Sequence, residues 1–140
     1  MKVLLDTCVL SEIRKPDGNP AVKDFVRSIP SDKLFVSVLT MGEIIKGVER
    51  LPQGRKRAAL TTWIDTLRTN FADRLVAVDP AVAEIWGRLT AMAEHDGHTI
   101  PAIDGLLAAT ALRHDFKIAT RNTRHFEATR AGLIDPWANG

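Results

Sequence analysis

A chain of 140 residues with 45% hydrophobic and 26% charged side chains has the size and balance of a globular domain. That excludes a fibrous or intrinsically disordered class and predicts one unit over residues 1–140. A formal net charge of +2 admits a polyanionic partner without demanding one. Cys8 is the single cysteine, so no intramolecular disulfide can form; no apolar run reaches the roughly 18 residues of a membrane span, and a soluble, cytoplasmic protein is expected.

Lys2 to Leu5 is a short apolar run cut off at Asp6, the pattern of a buried central strand that delivers a polar residue at its carboxyl end. With an acid at position 6 and no small-residue cleavage site after it, this start reads as a strand rather than a leader. Val9 to Arg14 predicts the first turns of a helix, and Pro16 to Pro20 a loop. Ala21, Val22, Phe25, Val26 and Ile29 then recur at helical spacing up to Pro30. Leu34, Phe35, Val36 and Val38 predict a second strand. Thr40 is the expected N-cap of a helix carrying Glu43, Ile44, Ile45 and Val48, which ends at Leu51-Pro52-Gln53-Gly54.

Arg55 to Asn70 predicts another helix, with Leu60, Trp63, Ile64 and Leu67 on one face and three cations at its start working against the dipole. Leu75 to Val78 is the third expected strand. Asp79-Pro80 caps a helix that turns Val82, Ile85, Trp86, Leu89 and Met92 inward and stops at Asp96-Gly97. Pro101 opens a helix apolar on most faces, hence buried. Lys117 to Thr120 is the fourth strand, Arg124 to Ala128 a short helix, and Leu133-Ile134 an edge strand. Strands alternating with helices predict an α/β fold of three layers, α/β/α, around a mainly parallel sheet of four to five strands.

In such sheets ligands sit beyond the carboxyl ends of the strands. Three acids are expected there: Asp6 after the first strand, Glu43 in the first turn of the helix after the second, and Asp104 in the first turn of the buried helix. Clustered carboxylates need cations or protons to be stable, and an all-oxygen set suits Mg²⁺ or Mn²⁺ rather than Zn²⁺. Taken singly, each acid also fits a capping or helix-dipole role. Cys8 lacks a nearby histidine and stands beside a carboxylate that raises its pKa, so it reads as an inert thiol. His95 and His98 read as exposed turn residues, and His114 and His125, with arginine neighbours, as conceivable RNA contacts. Arg121, Arg124 and Arg130 are the expected phosphate contacts, and Trp63, Trp86 and Trp137 core or interface residues.

The segments LLDTCVLSE at 4–12, SVLTMGEIIKGV at 37–48, IDGLLAATAL at 103–112 and IATRNTRHFE at 118–127 resemble the four motifs of PIN domains. The likeness is closest to the VapC toxins of bacterial toxin–antitoxin pairs, in particular their FitB-like branch, whose character extends to Ile134-Asp135-Pro136-Trp137. The resemblance implies a Mg²⁺- or Mn²⁺-dependent ribonuclease, often acting on tRNA or ribosomal RNA, through phosphodiester attack by cation-activated water. It also implies a homodimer and a small VapB-type antitoxin that covers the active site, the complex binding its own promoter DNA. Asp6, Glu43 and Asp104 match the family's first three acidic positions, with Thr7, Ser11 and Thr120 available to hold the carboxylates. At the fourth, where the family commonly has Asp, Thr120-Arg121-Asn122 places Asn122. An amide can still coordinate a cation but brings no charge, and Glu127 is close enough in sequence to supply one. Cys8 stands where the family often has Asn. Two rival readings are a phosphatase of the haloacid dehalogenase type, disfavoured because Cys8 occupies the place of its second Asp, and a catalytically weak PIN-like module binding RNA or protein.

Overall fold

The computed structural model describes residues 1–138. Five strands, β1 (Lys2–Leu5), β2 (Leu34–Ser37), β3 (Leu75–Val76), β4 (Phe116–Ala119) and β5 (Leu133–Ile134), form one sheet in the order β3-β2-β1-β4-β5. Every neighbouring pair is parallel. The chain builds outward from β1 to β3 and then returns to β4, so the order of strands reverses beside β1. That reversal opens a crevice at the carboxyl ends of the strands.

The helices are α1 (Thr7–Arg14), α2 (Pro20–Ser28), α3 (Val38–Glu49), α4 (Arg55–Asn70), α5 (Pro80–His95) and α6 (Ala102–His114), with 3-10 segments at Ser31–Lys33 and Thr123–Thr129. Alternation along β1 divides the core between the two sheet faces. Val3 and Leu5 pack with Val9, Leu10, Val22, Met41, Ile44, Ile64 and Leu67 from α1 to α4. Leu4 points the other way, into Leu107, Ala108 and Ala111 of α6, Ile118 and Phe126. A strand buried on both faces reads as an unbroken apolar run, as β1 does, and the three-layer α/β/α expectation holds.

Three local expectations are corrected. The helix cap after β2 is Ser37, whose Oγ accepts from the Leu39 N–H at 3.0 Å, not Thr40, which is fully buried with its hydroxyl unpartnered among the described residues. The earlier cap moves Glu43 from the first turn of α3 into the second; because helix side chains tilt toward the N-terminus, it still leans to the carboxyl end of the sheet. The third strand stops at Val76, two residues short, because its only partners are Val36 and Ser37 at the end of β2. The first helix likewise begins two residues early, at Thr7.

On α6, Gly105 follows Asp104 directly. A methyl group at this position would come within 3.0 Å of the Trp86 indole of α5, so the missing side chain lets α5 and α6 approach closely beside the crevice.

Candidate active site

Asp6 leaves β1 with its backbone N–H bonded to the Ala119 carbonyl at 3.0 Å, which ties it to the end of β4. Its Oδ1 accepts from the Thr7 N–H at 2.8 Å and caps α1; its Oδ2 accepts from the Thr120 hydroxyl, also at 2.8 Å. Thr120 is fully buried, and its Oγ1 also accepts from the Asn122 N–H at 3.0 Å. The capping role and the site role of Asp6 are therefore compatible, one for each oxygen. Cys8 Sγ lies 3.7 Å from Thr120 Oγ1 and 3.9 Å from Asp6 Oδ2. Burial, with the Asp6 charge adding to it, raises its thiol pKa against the hydrogen bonds that lower it, so Cys8 is a poor nucleophile.

Glu43 and Asp104 are held more loosely. Glu43 has one long contact, 3.4 Å from the Thr7 hydroxyl to Oε1. Burial raises its pKa most, followed by the charges of Asp6 and Asp104. Asp104, in the first turn of α6 as expected, is raised chiefly by burial and further by Asp6, while His125 lowers it. His125 Nδ1 stands 3.5 Å from Asp104 Oδ2.

The three acids, with Thr7, Cys8, Asn122 and His125, line one open cleft of about 800 Å³. Among the described residues no three of the His, Cys, Asp and Glu side chains form a ready-made metal cage. The cleft instead has partly buried, mutually repelling carboxylates and only oxygen donors on its three acids. This fits Mg²⁺ or Mn²⁺, because Mg²⁺ dehydrates reluctantly, keeps several waters and takes one or two carboxylates rather than a closed shell.

Asn122 reaches the cleft. Glu127 does not: it is exposed in a neighbouring groove with His98 and Arg124, because Thr123–Thr129 winds as a 3-10 helix that buries Phe126. The expectation that Glu127 replaces the fourth acid is corrected accordingly. Arg121 projects toward the Trp137 ring, 5.3 Å from its centroid, and Arg130 sits in the left-handed region at φ 64°, outside the cleft lining. Of the three expected phosphate contacts, Arg124 lines a groove that shares Pro101 and His125 with the cleft. The contact between His125 and Asp104 was missed by sequence reasoning; the one available signal was a histidine just past Asn122.

The sequence matches the PIN domain family over residues 3–131. Toxin FitB of Neisseria gonorrhoeae is 34% identical over 136 residues, 96% of this chain and 98% of its own. VapC ribonuclease Y4jK of Sinorhizobium fredii is 32% identical over 136 residues, 96% of this chain and 97% of its own. The structure of FitAB bound to the IR36 DNA fragment contains a chain that superposes with a TM-score of 0.90 at 34% identity, covering 96% of this chain and 95% of that one. A match that runs through all four acidic-motif segments, continued by relatives above 30% identity along nearly the whole of both chains, makes this protein a member of the PIN-domain family on its FitB and VapC branch.

Proposed function

We propose that this protein is the toxin of a toxin–antitoxin pair and acts as a divalent-cation-dependent ribonuclease, with Asp6, Glu43 and Asp104 as its catalytic and metal-binding residues and Asn122 as an auxiliary oxygen donor. The observation that carries this is the convergence of three carboxylates from β1, α3 and α6 on one cleft. The names of FitB and of the VapC ribonuclease support the activity, and the FitAB–DNA complex supports a partner antitoxin through which the pair meets promoter DNA. Transfer RNA or ribosomal RNA in the cytoplasm is the proposed substrate class, and a homodimer the proposed assembly.

Mg²⁺ or Mn²⁺, when bound, supplies positive charge for the phosphodiester and acidifies a water molecule. Asp6 keeps its charge at a fixed point because both oxygens are already oriented by hydrogen bonds. Glu43 Oε2, the oxygen not engaged by Thr7, is free to bind the cation or to orient the attacking water. Asp104 meets His125 through Oδ2 and lines the same cleft.

Manganese-dependent cleavage of an RNA panel by the parent protein and an Asp6→Asn/Asp104→Asn variant tests this reading. The parent cleaves, and the variant is slower by about 10³-fold or more, equivalent to about 4 kcal/mol of lost transition-state stabilisation. Cleavage that survives the double substitution places the chemistry elsewhere. A parent that binds RNA and Mn²⁺ but cuts nothing on the panel favours the binding-module reading.

A further inference from the structure

The catalytic cleft is the middle of three joined depressions. Through Glu43 and Ile103 it continues into a groove of about 430 Å³ over α3, where Lys46 and Arg50 stand. Through Pro101 and His125 it continues into a groove of about 570 Å³ that holds His98, Arg124 and Glu127. The resulting trough is acidic at its centre, cationic over α3, and mixed at its other end, where Arg124 and Glu127 share a groove.

The charge of Lys46 is felt at Glu43, whose pKa it lowers. Lys46, Arg50 and Arg124 are exposed, and among the described residues none of them enters an ion pair. Other arginines do: Arg57 with Glu49 at 2.6 Å, Arg68 with Asp65 at 3.2 Å and Arg74 with Asp73 at 3.3 Å. Lys46 in α3 and Arg50, the αR residue that caps its C-terminus, lie four residues apart, so both project from one face. Three carboxylates repel a phosphate chain, and the protein's net charge of only +2 attracts it weakly. Free cations either side of the acids are where a polyanion gains most by releasing its counterions. Val38 and Ile103, apolar yet 42% and 37% exposed, edge the α3 groove and offer a surface for unstacked bases.

We propose that a single strand of RNA lies along this trough, with one run of phosphates on Lys46 and Arg50 of α3 and the other on Arg124 after β4. Which phosphate sits over the carboxylates to be cut depends on the ribonuclease reading; the path of the strand does not. A concave trough crossed by the Ile103 and His125 ridges suits a flexible strand, whereas a duplex presents a stiff convex cylinder. Glu127 shares the groove of Arg124, so that end contributes less than the α3 end.

The test is fluorescence anisotropy with a short labelled single-stranded RNA, titrated over a range of salt. The background is the Asp6→Asn protein, so that binding is read without cleavage. Lys46→Ala/Arg50→Ala raises Kd by about tenfold and makes the log–log salt slope shallower by about 1.4, two lost contacts at about 0.7 each for single strands. Arg124→Ala raises Kd by about threefold and costs about 0.7 of slope. Arg55→Ala/Lys56→Ala, an equal charge change at exposed positions outside the trough, leaves both within twofold. The proposal is overturned if Lys46→Ala/Arg50→Ala binds like the background protein at an unchanged melting temperature. It is equally overturned if the Arg55/Lys56 control loses as much, or if the α3 variant keeps its RNA affinity and loses instead its grip on an antitoxin. Lys46→Met/Arg50→Met, which preserves the side-chain stems, replaces the alanine pair if that variant unfolds. Cleavage by the Asp6-bearing protein is followed in parallel: absence of cutting defeats the ribonuclease reading, while anisotropy still decides the path.

Discussion

On the β1 side of the cleft, Asp6 is fixed by its backbone bond to Ala119 and by side-chain bonds to Thr7 and Thr120, the last from a fully buried hydroxyl. On the opposite side, Glu43 has one contact at 3.4 Å and Asp104 one at 3.5 Å to an exposed imidazole. Both groups on that side are pushed toward the neutral form by burial and by the charge of Asp6. One wall is defined by geometry and the other by electrostatic strain. If the proposed cation binds here, it meets one rigid anchor and two adjustable carboxylates, an arrangement that would accommodate a hydrated ion without a preformed cage.

The rigid wall breaks most severely at Thr120. Thr120→Val nearly preserves shape but leaves Asp6 Oδ2 with the long 3.9 Å contact from Cys8 in place of its hydroxyl donor, and the Asn122 N–H without its acceptor. Stranding fully buried polar groups costs about 1–3 kcal/mol; these groups are partly buried, so the lower end, about 1 kcal/mol, is expected from chemical denaturation. Because the hydroxyl also aims the carboxylate, RNA cleavage should fall by about 10–100-fold. Unchanged stability and activity together would show that Asp6 is not held by this contact.

The strained wall is tested by pH. Because burial and like charge raise the folded-state pKa of Glu43 and Asp104, their contribution to stability is complete below the unfolded-state carboxylate values. It is lost as pH rises through the raised folded ones. Metal-free protein should therefore lose melting temperature from mildly acidic to neutral pH, and Glu43→Gln/Asp104→Asn should flatten that part of the profile. Saturating Mg²⁺ should recover the loss at neutral pH for the parent alone, by about 2.7 kcal/mol when the ion is at a hundred times its Kd. A variant profile as steep as the parent's would locate the strain in other groups.

His125 gives the smallest effect. Its side chain is 57% exposed, so His125→Ala should change stability by less than about 0.5 kcal/mol. Protonated His125 lowers the pKa of Asp104; without it that value rises, and the acidic limb of the pH–rate profile should move to higher pH. A shift to lower pH, or none, would mean that the contact at 3.5 Å carries no coupling.

Sequence patterns exposed the rigid wall more readily than the strained one. Asp6 stands out because a run buried on both faces cannot end in a carboxylate without partners, and α4 matched its predicted span of Arg55 to Asn70 because Gly54 precedes it. Ser37 and Thr40 both have the chemistry of an N-cap and both are fully buried; the end of β2 at Ser37, still extended at φ -75° and ψ 146°, decides between them, and local sequence does not encode where that strand stops. Glu127 was misplaced because a 3-10 turn advances by three residues, so its outward face differs from that of an α-helix. The Asp104–His125 contact joins residues 21 positions apart with no periodic relation, and Arg121 meets Trp137 across 16 positions and the last strand; neither leaves a pattern to read.

The hydrogen bond from Thr120 to Asp6 spans 114 positions, and β1 takes its place only between β2 and β4. During synthesis at 5–20 residues per second, Asp6 is made about 6–23 s before Thr120. Until then the chain has the first carboxylate without the strand that positions it, and Asp104 without a completed sheet below it. The order in which the polypeptide is made thus holds back the assembly of the carboxylate cleft, the proposed cutting centre, until nearly the whole protein exists.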